Sequence, residues 1–319
     1  MPDPNNGQPR KISIPRLVVV GSLNMDLVVR TSRIPRPGET IHGEDLSLIP
    51  GGKGANQAVA AAQLGARCEM VGRVGDDVFG GQLIAALRTC GVATDYVRST
   101  SACSSGVALI HVEASGENCI TIVAGSNGRM TPADLETLEP VLAQSNVLLL
   151  QLEIPVETVA TAIQIARRNG VYSILDTAPA PENGLPEALY AVDLLTPNQH
   201  EAQALTGIEV VDEDSAIRAA RILRDRGARR VVIKMGPAGA LALDETGKTY
   251  PVPSFPVQAV DTTAAGDAFT AALGVALAEG RDLARAVRFA CAAGALATTV
   301  FGAQPAMPDR SRVEKLLRG

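Results

Sequence analysis

From Arg16 onward the chain repeats one pattern: a short unbroken apolar run, a stretch with apolar residues at helical spacing, then another apolar run. The runs are "LVVVG", "NVLLLQLE", "VYSILDTAP", "AVDLLTPN" and "RRVVIKMG". A strand that is apolar on both faces belongs in a parallel sheet buried under helices on each side, because a half-exposed strand alternates. Between such runs "PVETVATAIQIARRNG" and "EDSAIRAARILRDRGA" show helical spacing and run into Gly. The pattern predicts an α/β fold with a mostly parallel central sheet flanked by helices on both faces.

A second texture interrupts the first. "TIHGEDLSLIPGG" and "SSGVALIHVEASGENCITIVAG" alternate apolar and polar residues around Gly-containing turns. They predict a small antiparallel β lid, assembled discontinuously from about 24–52 and 104–124, of the kind that closes over substrates. Residues 1–15 carry no apolar core of signal-peptide length and are expected to form a flexible tail, leaving 16–319 as a single α/β domain.

Composition removes several function classes. A formal net charge of -5 and 3% aromatic residues without Trp supply neither a basic footprint nor stacking platforms, so no nucleic-acid partner is expected. The five cysteines, Cys68, Cys90, Cys103, Cys119 and Cys291, form no CxxC pair and are odd in number. Neither a disulfide framework nor a zinc site follows, and a reducing cytoplasm is the expected setting. The uncharged run from Phe289 to Pro308 is Ala- and Gly-rich, which points to a closely packed interior helix and no membrane partner.

Ligands of open α/β sheets collect at the carboxyl ends of strands, so polar residues there have priority. After the first strand, "GSLNMD" puts Asn24 and Asp26 on one face; they read either as a solvated strand face or as an amide and a carboxylate able to hold vicinal sugar hydroxyls. "GGKGANQAVAAAQLGA" leads glycines into a helix, which physics alone reads as an anion cradle or as a plain Gly-rich turn, with Lys53 and Asn56 close to the helix start. "TGKT" at Thr246 to Thr249 ends like a phosphate-binding P-loop, but position 242 is Ala where that motif needs Gly, and its flanks look like strands of a hairpin. Nor does the first strand carry GxGxxG, which removes the simplest dinucleotide reading. In "DTTAAGDAFTAAL", Asp267 follows a small-residue corner and precedes a helix. It is either a helix cap or a base beside an anion hole, the two parts that phosphoryl transfer requires.

"GGKGANQAVAAAQLGA" and "DTTAAGDAF" resemble the two signature regions of the ribokinase-like (phosphofructokinase-B) carbohydrate kinases. The resemblance extends in order through "PRPGETIHG", "SSGVALIHV", "GEN", "QLE", "APA", "TPN", "LTGI", "VQAVDTTAAGD" and "GAQP". It implies transfer of the γ-phosphate of ATP to the O5 hydroxyl of D-ribose. Asp267 would be the general base and the backbone of Ala264, Ala265 and Gly266 the anion hole. Asn24, Asp26, Gly52, Lys53, Asn56 and Glu153 would grip the sugar, which turns the glycine loop from a phosphate cradle into a sugar site. By the same likeness Asn198, with Glu201 acting indirectly, would lie near the phosphates and Mg²⁺. His200 between them matches no ligand position. "KMGPAG" would set Lys234, Gly236 and Gly239 beside the nucleotide. Asp261 with backbone oxygens of Thr263, Ala297, Val300 and Gly302 would bind K⁺. A homodimer through the lid is implied too.

Three positions depart from that pattern. Asp176 stands where the family generally has Asn, Cys291 where a polar side chain usually faces the adenine, and Ala306 brings no hydroxyl to the K⁺ loop. Deoxyribose, another pentose or a nucleoside stays open as the acceptor. A sugar sensor without catalysis is opposed by the intact Asp267.

Overall fold

The computed structural model describes residues 14–113, 118–181 and 183–319. Residues 1–13 of the expected tail, and the tip of the second lid hairpin with most of its "GEN" motif, lie outside the described residues. Pro15, placed in the tail by the sequence reading, is buried and its carbonyl accepts the Arg67 N–H at 2.8 Å.

Strand β1 (Arg16–Val20) leads into β2 (Asn24–Thr31) and β3 (Asp45–Gly51), followed by α1 (Lys53–Gln63), β4 (Arg67–Gly75), α2 (Val78–Thr89) and β5 (Ala93–Thr100). The hairpin β6 (Gly106–Glu113) and β7 (Asn118–Val123) precedes the short helices α3 (Pro132–Glu136) and α4 (Glu139–Leu142). Then come β8 (Val147–Leu150), α5 (Val156–Asn169), β9 (Tyr172–Leu175), β10 (Leu194–Leu195), α6 (Gln199–Thr206), α7 (Glu213–Asp225) and β11 (Arg230–Lys234). The chain finishes with β12 (Ala240–Leu243), β13 (Thr249–Val252), α8 (Ala265–Ala278), α9 (Leu283–Ala297) and α10 (Arg310–Arg318).

The main sheet has the order β13-β12-β11-β10-β9-β8-β1-β4-β5. It is parallel from β11 to β5, and the hairpin β12–β13 adds an antiparallel edge. The "TGKT" segment falls at the turn of that edge hairpin, as its flanks predict. Strand β1 shows why the runs are unbroken: Leu17 and Val19 enter the core under α1, α8 and α9, while Val18 and Val20 enter the core under α5 and α7. Helix α9 is the closely packed interior helix expected from its Ala-rich sequence. Among the described residues no helix is long and apolar enough to cross a membrane.

The chain builds β4 and β5 on one side of β1, then crosses to β8 and continues outward on the other side. That reversal opens a crevice at the carboxyl ends of β1 and β8, where a ligand can enter between diverging connections. The lid is a separate sheet of order β3-β2-β6-β7. Each of its hairpins is antiparallel, but β2 and β6 pair in parallel from Asn24↔Gly106 to Thr31↔Glu113. Local alternation predicts half-exposed strands; it carries no information on the direction in which two hairpins separated by α1, β4, α2 and β5 will dock.

Candidate active site

Each expected side chain on the sugar side follows a strand end or opens a helix there. Asn24 and Asp26 come from β2 just after β1, Glu153 follows β8, and Lys53 and Asn56 lie in the first turn of α1. Gly52, the residue before α1, has φ 87° and lies against the β1–β2 connection. The first N–H of α1, from Lys53, is donated to Glu153 Oε2 at 3.1 Å, and Ser22 Oγ donates to the same oxygen. An internal carboxylate thus occupies the positive end of the helix, the physical reason why this glycine loop is not a phosphate cradle. Asn24 is buried, its Oδ1 accepting from Asn127 Nδ2 at 2.7 Å and its Nδ2 reaching Glu153 Oε2 at 3.5 Å. Each end of its amide is thus engaged once by the protein, which orients it and leaves one N–H and one lone pair on the amide.

Asp26, Glu153 and Asp267 crowd one region, and the result is visible in the protonation of Asp26 and Asp267. Burial first, then the charges of Glu153 and Asp267, push Asp26 from 3.8 to about 7. Lys53 answers this charge: burial alone would favour its neutral form, but Asp267, Asp176, Glu153 and Glu201 together hold it protonated well above the usual lysine range. Because the folded-state pKa of Asp26 exceeds its unfolded value, its contribution to stability is present below pH 3.8 and lost as pH rises through about 7. Asp26→Asn is therefore expected to melt higher than the native chain at pH 8, on the order of 2–4 kcal/mol more stable, with the gap closing toward pH 4. Melting curves at the two pH values check this, and a gap independent of pH contradicts it.

Asp267 is not a helix cap. Helix α8 starts at Ala265 after Ala264 in the left-handed conformation, no side chain caps it, and Asp267 is its third residue, 3% exposed. Its Oδ2 accepts from Asn56 Nδ2 at 2.9 Å and its Oδ1 from Gln57 Nε2 at 3.2 Å, both on α1. Burial raises its pKa from 3.8 to about 6 against the attraction of Lys53, with Asp176 adding to the rise. The first turn of α8 presents N–H groups that no preceding turn can satisfy. Ala265 N makes a long turn bond of 3.3 Å to Thr262 O, and the helical ladder begins with Ala268 N to Ala264 O at 2.9 Å. A carboxylate poised to take a proton and a helix start able to receive an anion are thus adjacent residues.

On the other side of this turn lies a cleft of about 510 Å³ lined by Lys234, Gly236, Pro237, Gly239, Thr262, Ala265 and Gly266, with Phe255, Val257, Phe269 and Cys291 as an apolar wall. Burial pushes the Cys291 thiol up to about 12, so it meets the cleft as a neutral, weakly polar group. Lys234, Gly236, Gly239, Gly266 and Cys291, all expected at the nucleotide, therefore line one opening, while Asn198 is not among its lining residues and meets Lys234 in a single β-bridge. Asn198 and Glu201 sit at the start of α6 in a capping box: Asn198 N reaches Glu201 Oε2 at 2.9 Å and Asn198 Nδ2 reaches Oε1 at 2.7 Å. Thr177 Oγ1 also donates to Glu201 Oε2 at 3.0 Å, so both carboxylate oxygens already have partners.

The segment expected to hold K⁺ is drawn together by Asp261. Its Oδ1 accepts from Thr263 N at 2.9 Å and its Oδ2 from Gly302 N at 2.9 Å. Burial acts to raise its pKa, but the Thr263 hydroxyl, which donates to Oδ1 at 2.6 Å, together with these two N–H groups outweighs it and holds the pKa below the usual carboxylate value. Ala297 ends α9, and Val300 lies between it and Gly302. Ala306 is buried and contributes no oxygen from its side chain.

Sequence reasoning passed over Gln57, Asn127 and Thr270. Gln57 Nε2 touches both Asp267 Oδ1 and Asp176 Oδ2 at 3.2 Å, and Gln151 Nε2 anchors its other end at 2.6 Å. The available signal was a pair of amides, Asn56 and Gln57, among the small apolar residues that fill helix α1 between Lys53 and Gln63.

A model of the pfkB family of carbohydrate kinases matches residues 15–310. Ribokinase of Haemophilus influenzae is 40% identical over 301 residues, covering 94% of this chain and 98% of that one. Ribokinase of Bacillus subtilis is 43% identical over 305 residues, covering 94% and 99%. The solved structure of Arabidopsis thaliana ribokinase complexed with ribose and ATP superimposes with a TM-score of 0.89 at 37% identity, covering 96% of this chain and 99% of that one.

Proposed function

The chain belongs to the pfkB family of carbohydrate kinases, and from that premise we propose that it transfers the γ-phosphate of ATP to the O5 hydroxyl of D-ribose, giving ribose 5-phosphate. The observation that carries the proposal is Asp267. It is buried, oriented by two amides of α1, and the third residue of the helix whose first two, Ala265 and Gly266, border the cleft. A sugar lying over α1 against Asp26, Lys53 and Asn56 would present a primary hydroxyl to this base. The nucleotide would lie in the cleft, its base against the apolar wall and its phosphates toward Lys234 and Gly266. Asp267 takes the hydroxyl proton as the oxygen attacks phosphorus, and the N–H groups opening α8 face the charge on the migrating group.

Mg²⁺ would neutralise the phosphates, held mostly by nucleotide and water, with Glu201 acting through water because both its oxygens already have partners. Asp261 and the nearby backbone carbonyls suit K⁺, a weakly hydrated monovalent cation, and such an ion would brace the turn that carries the anion hole. The outer face of the lid, with Leu46, Leu48 and Leu109 exposed, supports a homodimer through that sheet. Five free cysteines support a reducing, cytoplasmic setting.

The test is ADP release with ATP and Mg²⁺ and a panel of D-ribose, 2-deoxyribose, other pentoses, fructose and nucleosides, run in K⁺ and in Na⁺. Ribose is expected to give the highest kcat/KM. Deoxyribose should fall behind by about tenfold to a hundredfold, the worth of a hydrogen bond to a charged group. K⁺ should raise the rate over Na⁺. A chain that releases no ADP with any of these sugars overturns the assignment, and a preference for deoxyribose or a nucleoside moves it to the second reading.

A further inference from the structure

Asp176 is the first residue beyond β9, and it is 1% exposed. Its Oδ1 accepts from Lys234 Nζ at 2.9 Å, and its Oδ2 accepts from Gln57 Nε2 at 3.2 Å and Thr270 Oγ1 at 3.3 Å. Lys234 ends β11, two strands away, so the pair spans the carboxyl edge of β10. The lysine side chain is itself only 12% exposed, and a Cβ built on Gly266 would lie 3.5 Å from its Nζ. The ammonium is therefore pinned at the floor of the cleft, against the turn that opens α8. A long lysine side chain in water samples many rotamers; a buried carboxylate selects one.

The same carboxylate reaches the base. One Gln57 N–H₂ group lies between Asp176 Oδ2 and Asp267 Oδ1, so two like charges face each other across a single amide. We propose that Asp176 is a positioning residue for phosphoryl transfer: it fixes the Lys234 ammonium beside the Ala264–Gly266 turn, where the migrating phosphoryl group passes, and through the Gln57 amide it sets the environment of Asp267. This rests on the kinase reading above and adds to it a role for a side chain that contacts neither substrate. Lys53 of α1 and Asp176 after β9 act on the charge of Asp267, which in turn acts on Asp26 of β2; Glu153 after β8 and Glu201 of α6 act on Lys53, and Lys234 of β11 is paired with Asp176. Among the carboxylates, Asp176 is the one joined to Asp267 through a shared donor.

The direction of the effect follows. Removing the charge of Asp176 eases ionisation of Asp267, so the acid limb of kcat/KM moves to lower pH. It also frees Lys234, which lowers the rate of the chemical step. The experiment compares the native chain, Asp176→Asn, Lys234→Met and the double variant, with ribose and ATP across pH 5–9.

Asp176→Asn should lose about tenfold to a hundredfold in kcat with KM for ribose changed less than about threefold. Its acid limb should move down by about half a pH unit or more. The double variant should lose no more than about threefold beyond the worse single variant, because the two residues act as one unit. If the lone ammonium left by Asp176→Asn unfolds the protein, the charge-neutral double variant carries the test through its rate, which should match that of Lys234→Met within about threefold, its limb moving less because loss of the ammonium opposes loss of the carboxylate. A limb that stays in place, or losses that multiply in the double variant, overturns the proposal while leaving an active native enzyme as evidence for the kinase reading. A native chain inactive on ribose and its analogues removes both together.

Discussion

Asp267→Asn is expected to bind ribose within a few-fold of the native chain and to turn it over roughly 10²- to 10⁴-fold more slowly, the range a general base supplies. The substitution keeps shape and removes only the proton acceptor. The surroundings can accommodate it: Asn56 Oδ1 is buried without a hydrogen-bond partner, so a turn of the Asn56 amide gives the new N–H₂ group an acceptor. Nor does the fold depend on the charge. Burial raises the Asp267 pKa to about 6, so above that pH the ionised form costs stability, and the variant should melt no lower than the native chain at pH 8. Calorimetry with ribose beside an ADP-release assay separates the two roles. A structural carboxylate would lose binding and turnover together, whereas a base loses turnover alone. Turnover within tenfold of the native chain ends the assignment.

The same ionisation sets the pH dependence. As a base Asp267 would work only as carboxylate, so kcat is expected to rise with pH through about 6, and in Asp267→Asn that rise is lost, leaving in kcat/KM only the dependence that Asp26 brings. Asp26, pushed higher still, adds a second reason for weak activity in acid, since its protonated form accepts fewer hydrogen bonds from sugar hydroxyls. Lys53 then acts as the counterweight that lets three carboxylates share one region at neutral pH.

Much of this was legible because the sheet is parallel. A strand buried on both faces must be apolar at every position, so β1, β8 and β11 announce themselves, and the polar residues immediately after them mark the crevice. What escaped is whatever depends on two distant segments meeting. Asp176 was visible as a departure, but its partner Lys234 lies 58 residues on and becomes a neighbour only across β10. The engagement of Asn24 by Asn127 needs the residues after the second lid hairpin to fold back onto the first, 103 residues earlier. Gln57 was passed over because its neighbour Asn56 already filled the expected role, although both side chains reach Asp267 from one turn of helix. The glycine loop shows the limit of local physics: its helix start does attract an anion, and the protein supplies one from Glu153.

Gly52→Ala is expected to weaken ribose affinity and kcat/KM by about 10²-fold, the cost of moving a positioning element by about 1 Å, while ATP binding stays within a few-fold. Gly52 has φ 87° and ψ 133°, a conformation that resists any side chain. A Cβ there would also sit 2.6 Å from Asn24 N, 3.0 Å from Leu23 Cα and 3.0 Å from Ser22 O. All three are backbone atoms, so no rotamer change relieves the clash. The β1–β2 connection must back away from α1, and it carries Asn24 and Ser22, the side chains that steady Glu153. Strain and overpacking together should cost about 2–5 kcal/mol of stability, read as a lower denaturant midpoint at unchanged slope. Gly170→Ala is the control. Gly170 also has positive φ, at the end of α5, but a Cβ there meets nothing within 4 Å. It should lose about 1 kcal/mol of stability through its backbone alone and keep native kinetics. If Gly52→Ala instead matches this control in both stability and ribose affinity, the close approach of α1 to the β1–β2 connection is not what shapes the sugar site.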